Sequence, residues 1–124
     1  MNPSELSGRT VAYLGDAVWT LVVREYLLSL GENKGDTLQK DSIHYVSAKA
    51  QASFYQKLHE EGFWKEEEEA AYRRARNDHR GSSPKNTNPQ TYRMSTGFEA
   101  IIGTLYLEKQ EERIREIWDK IQTL

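Results

Sequence analysis

Thr10-Val11-Ala12-Tyr13-Leu14-Gly15-Asp16-Ala17-Val18-Trp19-Thr20-Leu21-Val22-Val23 is the stretch on which the fold turns. Its apolar side chains recur with helical spacing, continue to Leu28, and meet no proline before Leu30. A helix apolar almost all round is buried by its neighbours. Gly31, Asn33 and Gly35 end it with turn chemistry. Further along, Lys40 to Glu61 predicts one helix with two apolar stripes, Ile43-Val46-Ala50-Phe54-Leu58 and Tyr45-Ala48-Ala52-Tyr55, sandwiched between neighbours. Gly62-Phe63-Trp64 breaks it. Glu66 to Arg76 resumes as a surface helix, with Glu66 to Glu69 at its start and Arg73, Arg74 and Arg76 at its end, each sign suiting the helix dipole.

Asn77 to Arg93 predicts a loop, with Gly81-Ser82-Ser83-Pro84 and Asn86-Thr87-Asn88-Pro89 as turn clusters. A loop that long in a compact domain implies a task. From Thr96 or Gly97 to Leu107 a helix presents Phe98, Ile101, Ile102, Leu105 and Tyr106, and after Glu108 an amphipathic helix carries Ile114, Ile117, Trp118, Ile121 and Leu124. No segment alternates long enough to build a sheet. The expected fold is an all-α compact helical bundle, with residues 1–124 as a single domain.

Composition removes several function classes. The 124 residues include no cysteine, which excludes disulfide scaffolds, cysteine zinc sites and thiol catalysis. The longest uncharged stretch, Ala100 to Leu107, is far short of the ~20 apolar residues of a membrane span. Met1 to Glu5 lacks the basic and apolar regions of a signal peptide, so a cytoplasmic location is expected. His44, His59 and His79 fit no metal-ligand spacing, and Gly31 to Thr37 has the wrong glycine spacing for a phosphate loop. The net charge of −2 conceals an asymmetry. Arg73, Arg74, Arg76, Arg80, Lys85 and Arg93 face only Asp78 in residues 73–93, a local balance of +5 in an otherwise acidic chain.

Two acids stand in unusual places: Asp16 inside the most apolar helix, and Glu99 at the expected start of another. A carboxylate in such surroundings costs several kcal/mol unless it is paired, protonated or bound to a cation. Each also has a plain reading, Asp16 as an N-cap after Gly15 and Glu99 as a first-turn acid.

The sequence around both acids resembles a known family. Tyr13-Leu14-Gly15-Asp16-Ala17-Val18 resembles the signature helix of the ribonuclease III family, and Phe98-Glu99-Ala100-Ile101-Ile102-Gly103-Thr104-Leu105-Tyr106-Leu107 resembles the helix that ends the same catalytic domain. Between them, Val46 to Ala52, Arg73 to Asn77, Pro84-Lys85-Asn86 and Tyr92 to Thr96 are similar to the mini-ribonuclease III branch. The resemblance implies a homodimeric, Mg²⁺-dependent endonuclease for double-stranded RNA, acting in maturation of ribosomal RNA, the 23S precursor in particular. It makes Asp16 and Glu99 the catalytic residues and metal ligands. Classical members carry further acids seven residues before the signature aspartate and three before the final glutamate, where this chain has Arg9 and Thr96; the mini branch also lacks the first of these acids and tends to have Ser-Thr before the final helix.

Two carboxylates are a minimum for Mg²⁺, which keeps several waters and completes its shell with substrate phosphate. Larger relatives append a double-stranded-RNA-binding domain, whereas 17 residues follow Leu107 here. RNA contacts are therefore expected from the basic segment, with Arg73, Arg74, Arg76, Arg80, Lys85 and Arg93 as phosphate ligands and Asn77, Asn86 and Tyr92 beside them. An isologous dimer suits the two strands of a duplex, and the helix around Trp19 and Val23 is expected near its axis. The alternative is a catalytically weak or inactive RNA-binding module of the same fold, for which retained Asp16 and Glu99 would serve no purpose.

Overall fold

The structure, a computed structural model, describes residues 1–78 and 86–124. A 3-10 turn at Pro3–Glu5 precedes α1 (Gly8–Ser29), α2 (Gly35–Val46), α3 (Ala48–Glu60), α4 (Glu66–Arg76), α5 (Pro89–Leu107) and α6 (Glu111–Ile121). Among the described residues there is no strand, and no helix is long and apolar enough to cross a membrane.

The element ends follow local chemistry. Ser7 caps α1 by accepting the Thr10 N–H (3.1 Å), and Gly62, at φ +68°, makes the left-handed turn that releases α3 toward α4. The helix expected over Lys40 to Glu61 is two helices. Ser47 takes an extended conformation (φ −66°, ψ 153°), ends α2, and caps α3 by accepting the Ala50 N–H at 3.1 Å. The helix expected from Thr96 or Gly97 begins earlier, at Pro89. The reason is that Asn88-Pro89, which reads as a turn, is an N-cap followed by a proline at the first helical position: Asn88 Oδ1 accepts from Gln90 and Thr91. The Gly81-Ser82-Ser83-Pro84 cluster, Arg80 and Lys85 lie outside the described residues.

α5 is the central helix, packed against α1, α3, α4 and α6. Its Phe98, Ile101 and Ile102 are fully buried. Trp19 of α1 meets Phe98 edge-on at 5.0 Å and Trp118 of α6 at 5.3 Å, and its Nε1 donates to the Tyr45 carbonyl at 2.9 Å. α6 is fastened to α4 by Arg113, which forks onto the buried Glu68 carboxylate (2.8 Å twice) and lies over the Phe63 ring at 4.3 Å. α1 is not covered on all sides. Val11, Ala12, Trp19, Val23 and Leu27 are buried, whereas Tyr13, Leu21 and Leu28 are 84%, 57% and 56% exposed.

Candidate active site

Two glycines bring the acids together. A Cβ on Gly15 would lie 1.8 Å from the Glu99 carbonyl oxygen, and one on Gly103 would lie 2.2 Å from the Val11 carbonyl oxygen. α1 and α5 therefore cross backbone against backbone, which only residues lacking a side chain permit. Asp16 follows Gly15, and Glu99 belongs to the turn that Gly15 touches, so the closest approach of the helices is also where the two carboxyl groups meet.

They meet in an open cleft of about 390 Å³, to which α1 contributes Arg9, Tyr13 and Asp16, α3 Gln51, and α5 Tyr92, Thr96 and Glu99. Asp16 is exposed on the rim. This corrects the expectation of a buried anion: the core face of α1 runs through Gly15 and Trp19, and Asp16 is turned off it toward the cleft. Glu99 is partly buried on the inner wall, in the middle of α5 and not in its first turn, so the helix-dipole explanation does not apply. Burial, and then the hydrogen bond and negative charge of Asp16, push the Glu99 carboxyl up to about 9 from an ordinary 4.5. At neutral pH Glu99 therefore keeps its proton, and a cation placed between the two groups would take that proton's place.

The Thr96 hydroxyl donates to the Tyr92 carbonyl of its own helix at 3.0 Å. Arg9 stands two turns before Asp16 on the same face of α1 and donates to the Tyr92 hydroxyl at 3.4 Å. Gln51 is 1% exposed, and its Nε2 makes no hydrogen bond, an omission worth about 1–3 kcal/mol. Sequence reasoning marks neither Arg9 nor Gln51 as a site residue. Arg9 has a signal there, its spacing of seven from Asp16; Gln51 has only its polarity among Ala48, Ala52 and Tyr55.

The basic residues separate into groups. Arg73, Arg76, Asn77 and Arg93 line a second cleft, of about 450 Å³, between α3, α4 and α5. There Arg76 lies 5.6 Å over the Tyr72 ring, and its Nε donates to Asn77 Oδ1 at 3.1 Å. Arg74 is elsewhere: it donates to the carbonyls of Pro3 (3.0 Å) and Leu6, stapling the N-terminal segment to α4. Tyr92 belongs to the acid cleft, and Asn86 is exposed. Arg80 and Lys85 fall outside the described residues.

Among the described residues no group of three or more His, Cys, Asp or Glu is placed to hold a metal. The pair Asp16 and Glu99 nonetheless fits a hard cation that takes one or two carboxylates and leaves room for water and phosphate. Comparison with known proteins gives the family. Residues 9–110 match the Ribonuclease III domain family. The chain belongs to the mini-ribonuclease III branch of that family. It is 44% identical over 113 residues to a Mini-ribonuclease 3 of Enterococcus faecalis, covering 91% of this chain and 86% of the relative. A Mini-ribonuclease 3 of Staphylococcus aureus is 43% identical over 119 residues, covering 96% and 89%. A Fusobacterium nucleatum protein solved by X-ray crystallography superposes with a TM-score of 0.83 at 37% identity, covering 94% of this chain and 92% of that one. As a ribonuclease III protein the chain is an endoribonuclease, and its two motifs acquire a physical meaning. Each pairs a glycine that permits the helix crossing with an acid that the crossing delivers to the cleft.

Proposed function

We propose that this chain is a Mg²⁺-dependent endoribonuclease that cuts double-stranded RNA as a homodimer, in the cytoplasm, during maturation of the 23S ribosomal RNA precursor. Residues 1–124 act as one catalytic domain. The observation that carries the reading is the Asp16–Glu99 pair, two carboxyl groups brought together by the α1–α5 crossing in a cleft open to solvent. When bound, Mg²⁺ neutralises charge on the phosphodiester oxygens and lowers the pKa of water. Asp16 would hold it from the rim and Glu99 from the inner wall, the latter giving up its proton as the cation arrives. Arg9, steadied by Tyr92, sets a guanidinium in the same cleft for a neighbouring backbone phosphate. Arg73, Arg76 and Arg93 supply further phosphate contacts on the adjoining face.

The homodimer draws support from α1, the helix around Trp19 and Val23 expected near its axis, though not from those two side chains themselves. Both are fully buried in the chain's own core. The free apolar surface is the opposite stripe of Tyr13, Leu21 and Leu28, beside a groove of about 530 Å³ walled by Val18, Val22, Tyr26 and Trp118.

The test is incubation with long duplex RNA, single-stranded RNA and duplex DNA, each with Mg²⁺ or with chelator. Only duplex RNA with Mg²⁺ should be cut. Asp16→Asn should fold and bind duplex RNA while its cleavage falls by at least about a hundredfold. Undiminished cleavage by that variant overturns the reading, and cleavage-free binding by the wild type favours an RNA-binding module instead.

A further inference from the structure

Gln51 is the one side chain among the described residues with a buried polar atom and no hydrogen-bond partner. It stands on α3 and lines the acid cleft together with Asp16 of α1 and Glu99 of α5, and Glu99 interacts with both of the others. Native folds rarely bury an amide donor without an acceptor, and the usual explanation is a ligand, an ion or a water that completes the set. A purely space-filling role at this position would be served at least as well by leucine, of similar size and without the desolvation penalty. The amide also lies within reach of the Glu99 carboxyl group.

Glu99 needs such a partner for a geometric reason. Its side chain has three rotatable bonds, and with only two protein carboxylates at the site, a cation depends heavily on the direction in which each one faces. The hydroxyl nearest in sequence on the same helix, that of Thr96, does not steer it, because it donates to the helix backbone instead. We propose that Gln51 is a positioning residue whose amide N–H, unpaired in this structure, donates to one oxygen of Glu99 when a divalent cation is bound, leaving the other oxygen directed with Asp16 toward that cation. The inference rests on the metal-dependent reading above and adds to it a residue that touches neither the cation nor the RNA.

The variants Gln51→Leu and Gln51→Met remove the donor while keeping the volume, Met serving should Leu fail to fold. Binding of Mn²⁺ is followed by the electron paramagnetic resonance of the free ion, with Asp16→Asn as the reference for a broken site, and thermal melting is recorded in chelator. Both variants should melt at or above the wild-type temperature, bind Mn²⁺ about 10- to 100-fold more weakly, and recover cleavage at high Mn²⁺ with KM for duplex RNA unchanged. Wild-type Mn²⁺ affinity in either folded variant overturns the proposal, as does a drop in melting temperature with affinity intact, the mark of a structural role. A wild-type chain that binds no more Mn²⁺ than Asp16→Asn overturns the metal reading itself, and the proposal with it.

Discussion

Glu99 keeps its proton to about pH 9, and as the proposed metal ligand this one residue would couple acidity, stability and metal binding. An unfolded glutamate ionises near 4.5, so between that value and about 9 the folded chain binds more protons than the unfolded one. Stability in chelator therefore falls as pH rises through that window. The cation must displace the proton, so its affinity should rise with pH, by up to about tenfold per unit, and level off above about 9. Mn²⁺ titrations at about pH 6.5 and 8.5, each in two buffers of different protonation enthalpy, should show one proton released per ion. An affinity independent of pH would contradict a Glu99 that holds its proton at neutral pH. Both acids are legible in the sequence because a charge in an apolar helix is conspicuous and its neighbours match known motifs. Glu68 is not: it reads as one of four surface acids, and only the fold reveals that Arg113, far along the chain, reaches it in the core. Gln51 escapes for a related reason, since a lone glutamine carries no sign of whether its amide will be satisfied.

At the scale of helices, the crossing of α1 and α5 is the feature on which the site depends. Gly15→Ala would force a methyl group to within 1.8 Å of the Glu99 carbonyl oxygen, a backbone atom that cannot swing aside. The helices must separate, at a cost of about 3 kcal/mol or more. Melting should reveal that loss together with a collapse of Mn²⁺ affinity; a melting temperature within a degree of wild type would show that the crossing is slack. The basic helix end offers a contrasting pair. Arg73, Arg76 and Arg93 together changed to alanine should flatten the salt dependence of duplex RNA binding by about 0.7–0.9 for each phosphate no longer engaged. Arg74→Ala should lower stability and leave that slope alone, because its guanidinium serves the N-terminal segment. An unchanged slope in the triple variant would place RNA binding elsewhere. Periodicity predicts the helices themselves, but it runs straight through the break at Ser47, whose flanks are both apolar at helical spacing. It also begins α5 late, because Asn88-Pro89 serves turns and helix starts alike.

For the molecule as a whole, one Asp16–Glu99 pair would make one hydrolytic centre on the proposed function, and a duplex has two strands related by local two-fold axes. Two chains joined along the exposed stripe of α1 would supply both centres. A heterodimer with Asp16→Asn in one chain should nick a single strand, and Leu21→Glu combined with Leu28→Glu should give a monomer by sedimentation that makes no double-strand breaks. Double-strand breaks at normal rates from either protein would exclude the two-centre arrangement. The sequence announces an α1 with too much apolar surface for one small domain. Which side faces the core is not readable from it, since Trp19 and Leu21 are both apolar and only packing distinguishes them. The crossing of Gly15 with Gly103 has one more consequence, for the order of events during synthesis. Asp16 leaves the ribosome early and Glu99 late, and neither has a cleft until α5 docks on α1. A nascent chain therefore has no assembled acid pair until translation has passed Gly103, and on the proposed function it could not cut RNA before then.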